Sequence, residues 1–327
     1  MLNHRFTLRQ LQVFEAAARH ASFRRAADEL HLSPPAVSMQ IKQLEEHLGV
    51  PLFEQLGRRV HLTEAGEALW GYVRRVGAQL EEMSEFMADL GGGRAGHLRL
   101  SVVTTAKYFV PALLGVFTRR FPGITLSLDV TNRETLLSQL ADNALDLAVM
   151  GRPPAEADVE AAPFAPNPLV VFAPAAHPLA QETAIPIERL AEEPFIYRES
   201  GSGSRMAAER FFAEHGVRPR VVMEVASNEA IKQCVAAGLG LGMLSATTLV
   251  NDVAAGRVVV LDVAGLPIER QWFVVHRRGK RLGVVAEAFR RFLVDEAAGL
   301  MAAMVPTGMG RGEAYRWSPG DQEGSGG

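Results

Sequence analysis

Residues 8–66 read LRQLQVFEAAARHASFRRAADELHLSPPAVSMQIKQLEEHLGVPLFEQLGRRVHLTEAG, three helical periods followed by one strand alternation. Leu8, Leu11, Phe14 and Ala18 recur at helical spacing. Ser22 is placed to cap a short second helix in which Phe23, Ala26, Ala27 and Leu30 share a face. After the turn His31-Leu32, Ser33 caps again. Pro34 and Pro35 follow, tolerated in a first helical turn because those N–H groups lack intrahelical partners anyway. The third helix runs through Ala36, Val37, Ile41, Leu44 and Leu48 and stops at Gly49. Two short helices joined by a tight turn, the second with polar residues at its start, form the helix-turn-helix layout. Ser33, Ser38, Gln40, Lys42 and Gln43 fall on its exposed side, where they can bond base edges or phosphates. Residues 52–62 alternate around Gly57 as a small hairpin, a wing with Arg58 and Arg59 at its tip facing the phosphate backbone.

A plain three-helix bundle has the same periodicity, and local charge does not separate the two readings. Eight cations of the segment (Arg5, Arg9, Arg19, Arg24, Arg25, Lys42, Arg58, Arg59) face seven acids (Glu15, Asp28, Glu29, Glu45, Glu46, Glu54, Glu64). The motifs are more specific. Ala26-Ala27, Ser33-x-Pro35-Ala36-Val37-Ser38, Ile41-x-x-Leu44-Glu45, Leu48-Gly49, Leu52-Phe53 and Leu62-Thr63-x-Ala65-Gly66 together resemble the N-terminal domain of LysR-type transcriptional regulators. The resemblance implies DNA contacts at Ser33, Pro35, Ser38, Gln40 and Arg58, and the expected DNA surface adds Arg25, Lys42 and Arg59. The sequence departs from the family pattern at Pro34, where glutamine is common, and at Met39, where a basic or polar residue is common.

Beyond Thr63, which caps a long helix over 63–90, apolar residues fall at Leu69, Val73, Val76, Leu80, Met83, Met87 and Leu90. The steps alternate between four and three, a sustained heptad. A helix packed on its own domain would also carry an apolar stripe. The length favours a dimer seam, which the resemblance implies as well. Gly91-Gly92-Gly93 then break the helix and predict a hinge over 91–96. Residues 97–298 alternate β-branched runs with helical stretches and predict an α/β domain with parallel strands. The runs are 98–102, 124–130, 145–149, 169–173, 195–198, 221–225, 242–244 and 271–275, with a last helix from Leu282 to about Ala298. Two Rossmann-like subdomains of the periplasmic-binding-protein type are expected, about 97–164 with 269–298 and about 165–268. The Gly- and Pro-rich remainder, 299–327, predicts a disordered tail. The expected whole is thus an all-α winged helix-turn-helix over 1–62, a linker helix and an α/β effector domain.

In open α/β sheets ligands sit beyond the carboxyl ends of the strands. The turns there are polar: Thr104, Thr105 and Lys107 in the first, Asn132 and Arg133 in the second, then Ser202, Ser204 and Arg205 ahead of a helix, with Asn228 opening another. Hydroxyls, free helix-start N–H groups and arginines suit an oxyanion, and Lys107 and Arg205 are the expected charge partners. Each Ser or Thr taken singly is also a plain helix cap. SVVTTAKYFVPALLGVFTRRFPG, DVTNRETLLSQLADNALDLAVMGRPP and ESGSGSR are similar to the CbbR/RbcR branch of the LysR family, regulators of Calvin-cycle carbon dioxide fixation operons. That similarity implies a sugar phosphate or related anion as effector, a double-stranded DNA operator, self-association as dimer or tetramer, and RNA polymerase as a further partner.

Composition narrows the alternatives. The 327 residues are 48% hydrophobic and 22% charged, too apolar for global disorder, and a net charge of −3 leaves any nucleic-acid site to local residues. One cysteine, Cys234, excludes a disulfide framework and a Cys-rich zinc site, and nothing in the spacing of the histidines suggests a metal. The first ten residues lack the apolar core of a signal peptide, and the uncharged stretch 234–250 is broken by glycines, so a cytoplasmic location is expected. Gly238-Leu239-Gly240-Leu241-Gly242 follows a helix and precedes a strand, the reverse of a dinucleotide loop, and reads as a helix end with a tight turn. No nucleophile, metal or cofactor constellation supports an enzyme, and a solute-binding protein would not carry the N-terminal heads. A LysR-type regulator of another operon, sensing a different small anion, stays open.

Overall fold

The computed structural model describes residues 6–56, 59–90 and 96–304, in an N-terminal unit up to Ala88 that also takes in Asp142–Ala144, and a C-terminal unit of Asp89–Ala141 and Leu145 onward. In the N-terminal unit α1 (Leu8–His20) opens with a reciprocal cap. The Thr7 side chain accepts from the Gln10 N–H at 3.2 Å, and the Gln10 side chain accepts from the Thr7 N–H at 2.9 Å. Ser22 caps α2 (Phe23–Leu30) and Ser33 caps α3 (Pro34–Leu48), as the sequence predicts. Gly49, at φ +76°, ends α3 in the left-handed conformation that glycine tolerates. The core comprises Val13, Phe14, Ala16, Ala17, Ala26, Ala27, Val37, Ile41, Leu44 and Leu52, the alanines allowing the helices to approach closely. Strands β1 (Phe53–Leu56) and β2 (Arg59–Leu62) pair antiparallel, with Leu56 opposite Arg59. The expected wing is therefore a hairpin. Arg58, expected at its tip, lies outside the described residues, as does the 91–95 part of the expected hinge.

The long helix α4 (Glu64–Leu90) starts where Thr63 accepts from the Gly66 N–H at 3.0 Å. Gly66 is required by space, because a Cβ there would stand 2.1 Å from the Leu52 carbonyl oxygen. The heptad is split between two jobs. Leu69, Trp70 and Val73 pack into the unit's own core, whereas Val76 and Leu80 remain 43% and 38% exposed. Of the stripe expected as a seam from Leu69 onward, only the part beyond Val73 is left available for one.

Along the C-terminal unit follow β3 (His97–Val103), α5 (Val110–Arg120), β4 (Thr125–Thr131), α6 (Arg133–Ala141), β5 (Leu147–Met150), β6 (Val159–Pro166) and β7 (Leu169–Pro174). Next come β8 (Pro194–Arg198), α7 (Gly203–Glu214), β9 (Arg220–Val225), α8 (Asn228–Ala236), β10 (Leu241–Ser245), α9 (Val250–Ala254), β11 (Val258–Val260), β12 (Gln271–Arg277) and α10 (Val284–Met304). They build two five-stranded sheets, in the orders β4-β3-β5-β12-β6 and β11-β7-β10-β8-β9. The chain passes to the second sheet after β6 and returns with β12. On one face of the first sheet, α5 and α10 bury Leu98, Leu100, Phe117, Trp272 and Phe289, while α6 covers the other with Leu136 and Leu140. The second sheet is likewise covered on both faces.

Three expectations need correction. The sheets are mixed: β12 runs antiparallel to β5 and β6, and β7 antiparallel to β10 and β11. The sequence reading omits β6 and β11, both edge strands. Two prolines disguise VEAAPFAP, and three residues of VVV are too short a signal. Helix α10 runs to Met304 rather than ending near Ala298, because Ala297 and Met301 continue its buried face; of the expected tail, 305–327 lies outside the described residues. The glycine run over 238–242 behaves as read. Gly238, at φ +79°, ends α8, and a Cβ on Gly240 would meet the Pro194 carbonyl oxygen at 2.7 Å.

Candidate DNA-reading face and anion cleft

Helix α3 turns Val37, Ile41 and Leu44 into the core, so its opposite side must face outward. Ser33, Pro35, Ser38, Met39, Lys42 and Gln43 are exposed there, and Gln40 is half-buried beside them. Arg25 is exposed on α2. The Ser33 hydroxyl accepts from the Ala36 N–H at 3.4 Å, and Lys42 reaches Glu46 only at 3.9 Å, a contact weak enough to yield to a phosphate. Arg59 is placed at the start of β2.

The second site lies within the C-terminal unit, in a cleft of about 720 Å³ including its open mouth. The carboxyl end of β3 supplies Thr104 and Thr105, and the β4–α6 turn supplies Asn132 and Arg133. From the other sheet come Arg198 at the end of β8, Ser202 and Ser204 at the start of α7, and Ser245 at the end of β10. Asn132 caps α6, its side-chain oxygen accepting from the Thr135 N–H at 2.8 Å. Ser202 precedes α7 without capping it, which leaves its hydroxyl for the cleft.

Two guanidiniums dominate the electrostatics. Arg270 donates to the Gly203 carbonyl at 3.1 Å; burial, with the charge of Arg133 adding to it, brings its pKa down to about 10. Arg133 donates to the Arg152 carbonyl at 3.0 Å and is also lowered by burial, Glu156 offsetting part of the effect. Neither forms an ion pair among the described residues. Two half-buried cations near each other, neither in an ion pair among the described residues, are held at a cost that a bound anion would relieve. Arg198 differs, since its guanidinium is paired twice with Glu199, both at 2.7 Å, and bonds the Asn228 side-chain oxygen. Glu134 also borders the cleft. Asn167, a lining residue, has a buried side-chain oxygen with no partner among the described residues.

The structure brings Thr104, Thr105, Asn132, Arg133, Ser202 and Ser204 together at this cleft. Three expected members do not line it. Lys107 is exposed, with its ammonium 5.2 Å from the Tyr108 ring centre. Arg205 is held by Glu209 at 2.7 Å and by Glu224, and donates to the Arg198 carbonyl at 3.0 Å. Both were expected as the charge partners; the guanidiniums that line the cleft are those of Arg133, Arg198 and Arg270. Asn228 stands behind Arg198. Arg270 was missed because the signal is topological: β12 runs antiparallel to β5, so the residue before β12 arrives at the carboxyl end of the parallel strands. No group of three His, Cys, Asp or Glu among the described residues is gathered as a metal site.

Comparison with known proteins recovers the same two domains. The family described as "Bacterial regulatory helix-turn-helix protein, lysR family" matches residues 8–67, and "LysR substrate binding domain" matches residues 91–298. A "RuBisCO operon transcriptional regulator" from Allochromatium vinosum is 53% identical over 292 residues, 89% of this chain and 97% of that protein. The "HTH-type transcriptional activator CmpR" of Synechocystis is 47% identical over 296 residues, 90% of this chain and 97% of that one. Among solved structures, the Synechocystis CcmR regulatory domain in complex with 2-PG superposes with a TM-score of 0.60 at 45% identity, covering 62% of this chain and 99% of that one.

Proposed function

The chain belongs to the LysR family of bacterial transcriptional regulators, which act on DNA rather than as enzymes, and from that premise we propose that it controls carbon dioxide fixation genes in response to a phosphorylated small anion. The observation that carries the effector class is the pair Arg133 and Arg270, charged, half-buried and in no ion pair among the described residues, although Glu134 also borders the cleft. Ser202, the start of α7 and Asn167 add neutral donors and an acceptor suited to the rest of a small polar molecule. The names of the relatives support the target genes, and the 2-PG bound to the CcmR domain supports a phosphorylated ligand.

On the DNA side the proposed readers are Ser33, Pro35, Ser38 and Gln40, with Arg25, Lys42, Arg58 and Arg59 on phosphates. Self-association is proposed through the part of α4 beyond Val73 and through the sheet edges β4 and β9. Leu128, Val130, Val221, Val222 and Met223 are exposed on those edges, whose outer backbone groups pair with no strand among the described residues. A dimer would present two copies of α3 to an operator with two half-sites. Closure of the cleft around the anion is the proposed signal, read out as a change in how the DNA heads are spaced.

A thermal-shift titration tests the effector class. Ribulose bisphosphate and 2-PG should raise the melting temperature by mass action, and Arg270→Ala should abolish the rise. Stabilisation by unphosphorylated carboxylates alone, or an equal rise in the variant, would overturn the phosphate assignment.

A further inference from the structure

Met39 stands apart from its neighbours on α3. It is 54% exposed, and among the large apolar side chains of this helix it alone is exposed. Each helical residue advances about 100°, so position 39 lies opposite both buried Val37 and buried Ile41. The surrounding exposed groups are Pro35 one turn before it, Ser38 beside it, and Lys42 and Gln43 one turn after. Met39 is therefore central to the face that the helix-turn-helix layout turns to the major groove. Among the described residues, Met39 is not part of the apolar core of the N-terminal unit.

We infer that Met39 is a base-reading residue that recognises the 5-methyl group of thymine, an inference that rests on the DNA-reading role of α3 proposed above. Thymine alone presents an apolar group on the major-groove edge, and a thioether without hydrogen-bonding reach can discriminate there only by apolar contact. An unbranched, flexible side chain adapts to a methyl group whose position varies with local groove shape. Pro35 widens the same apolar strip, while Ser38 and Lys42 beside it supply polar contacts to base edges and phosphates. Met39 would thus make the protein prefer a thymine at one position of each half-site.

The test begins with duplexes selected from a random library by the full-length wild-type protein. Each thymine of the selected duplex is then replaced in turn by deoxyuridine, which removes only the methyl group. At one position per half-site the replacement should weaken wild-type binding about fourfold, the effect of losing one buried methyl. That loss should vanish in Met39→Ala and Met39→Gln and persist in Met39→Leu. Alanine favours the helix, and unchanged circular dichroism would confirm that the fold is retained. Uridine replacements that leave wild-type binding unchanged, or that weaken wild type and Met39→Ala equally at every position, would overturn the inference while leaving DNA reading by α3 intact. A wild-type protein that enriches no sequence would overturn both.

Discussion

Arg270 reaches the cleft through close packing as well as charge. A Cβ on Gly151 would stand 2.7 Å from its Nη2 atom, so the glycine makes room for the guanidinium. Gly151→Ala should therefore displace Arg270 and weaken effector binding while leaving the fold intact. Arg270→Lys keeps the charge but loses the fork that grips two oxygens at once, and a lost charge-assisted bond of about 1.5–3 kcal/mol predicts a tenfold to hundredfold weaker Kd by calorimetry. Binding should also depend on pH in a defined direction. With its pKa lowered only to about 10, Arg270 stays protonated throughout the neutral range. The titrating group near neutrality is then the ligand, whose phosphate loses its second proton near about pH 6. Affinity should rise between pH 5 and 7.5, level off, and fall again only as pH approaches 10. A flat profile across pH 6 would indicate an effector without a phosphate monoester.

Among the elements, the junction of wing and linker helix is the most constrained. Gly66 sits in the first turn of α4 against the backbone oxygen of Leu52, and backbone cannot move aside as a flexible side chain can. Gly66→Ala should destabilise the N-terminal unit by about 1–3 kcal/mol in urea unfolding, although alanine is the better helix former. Stability equal to or above wild type would show that the approach is looser than 2.1 Å implies. Helices α1 to α3 were legible because periods, caps and stops coincide: Ser22 and Ser33 at two of the starts and Gly49 at the last end, whereas the Thr7–Gln10 cap of α1 was not read from the sequence. The wing was legible from alternation around one turn. Edge strands β6 and β11 were not, since prolines and shortness remove the period, and their place depends on partners distant in sequence. The cleft was half legible for a related reason. Turns after parallel strands can be read in order, which yields Thr104, Asn132 and Ser202. Arg270 depends on an antiparallel return from the second sheet, which local pattern does not encode. Arg205 was assigned to the cleft from its place beside a helix start, but Glu209 and Glu224 already neutralise it.

At the scale of the whole molecule, apolar surface remains that one copy leaves uncovered. Val76 and Leu80 on α4, and Val221, Val222 and Met223 on β9, are exposed. Leu80→Glu should shift the protein toward monomer in sedimentation velocity and weaken binding to a two-half-site operator more than to a single half-site. Unchanged mass would show that this part of α4 is not a seam. Because the net charge is −3, the proposed DNA contact rests on the few cations of α2, α3 and the wing, and affinity should fall with salt through those alone.

The proposed regulation requires one coupling: an anion held by Arg133 and Arg270 must alter how α3 sits on DNA. Operator footprinting of the full-length protein, with and without ribulose bisphosphate, tests it most directly when wild type and Arg270→Ala are run side by side. The metabolite should change the wild-type footprint, and the variant should protect the same DNA without responding. A metabolite-dependent change of equal size in Arg270→Ala, or a wild-type footprint indifferent to every phosphorylated anion tried, would contradict it.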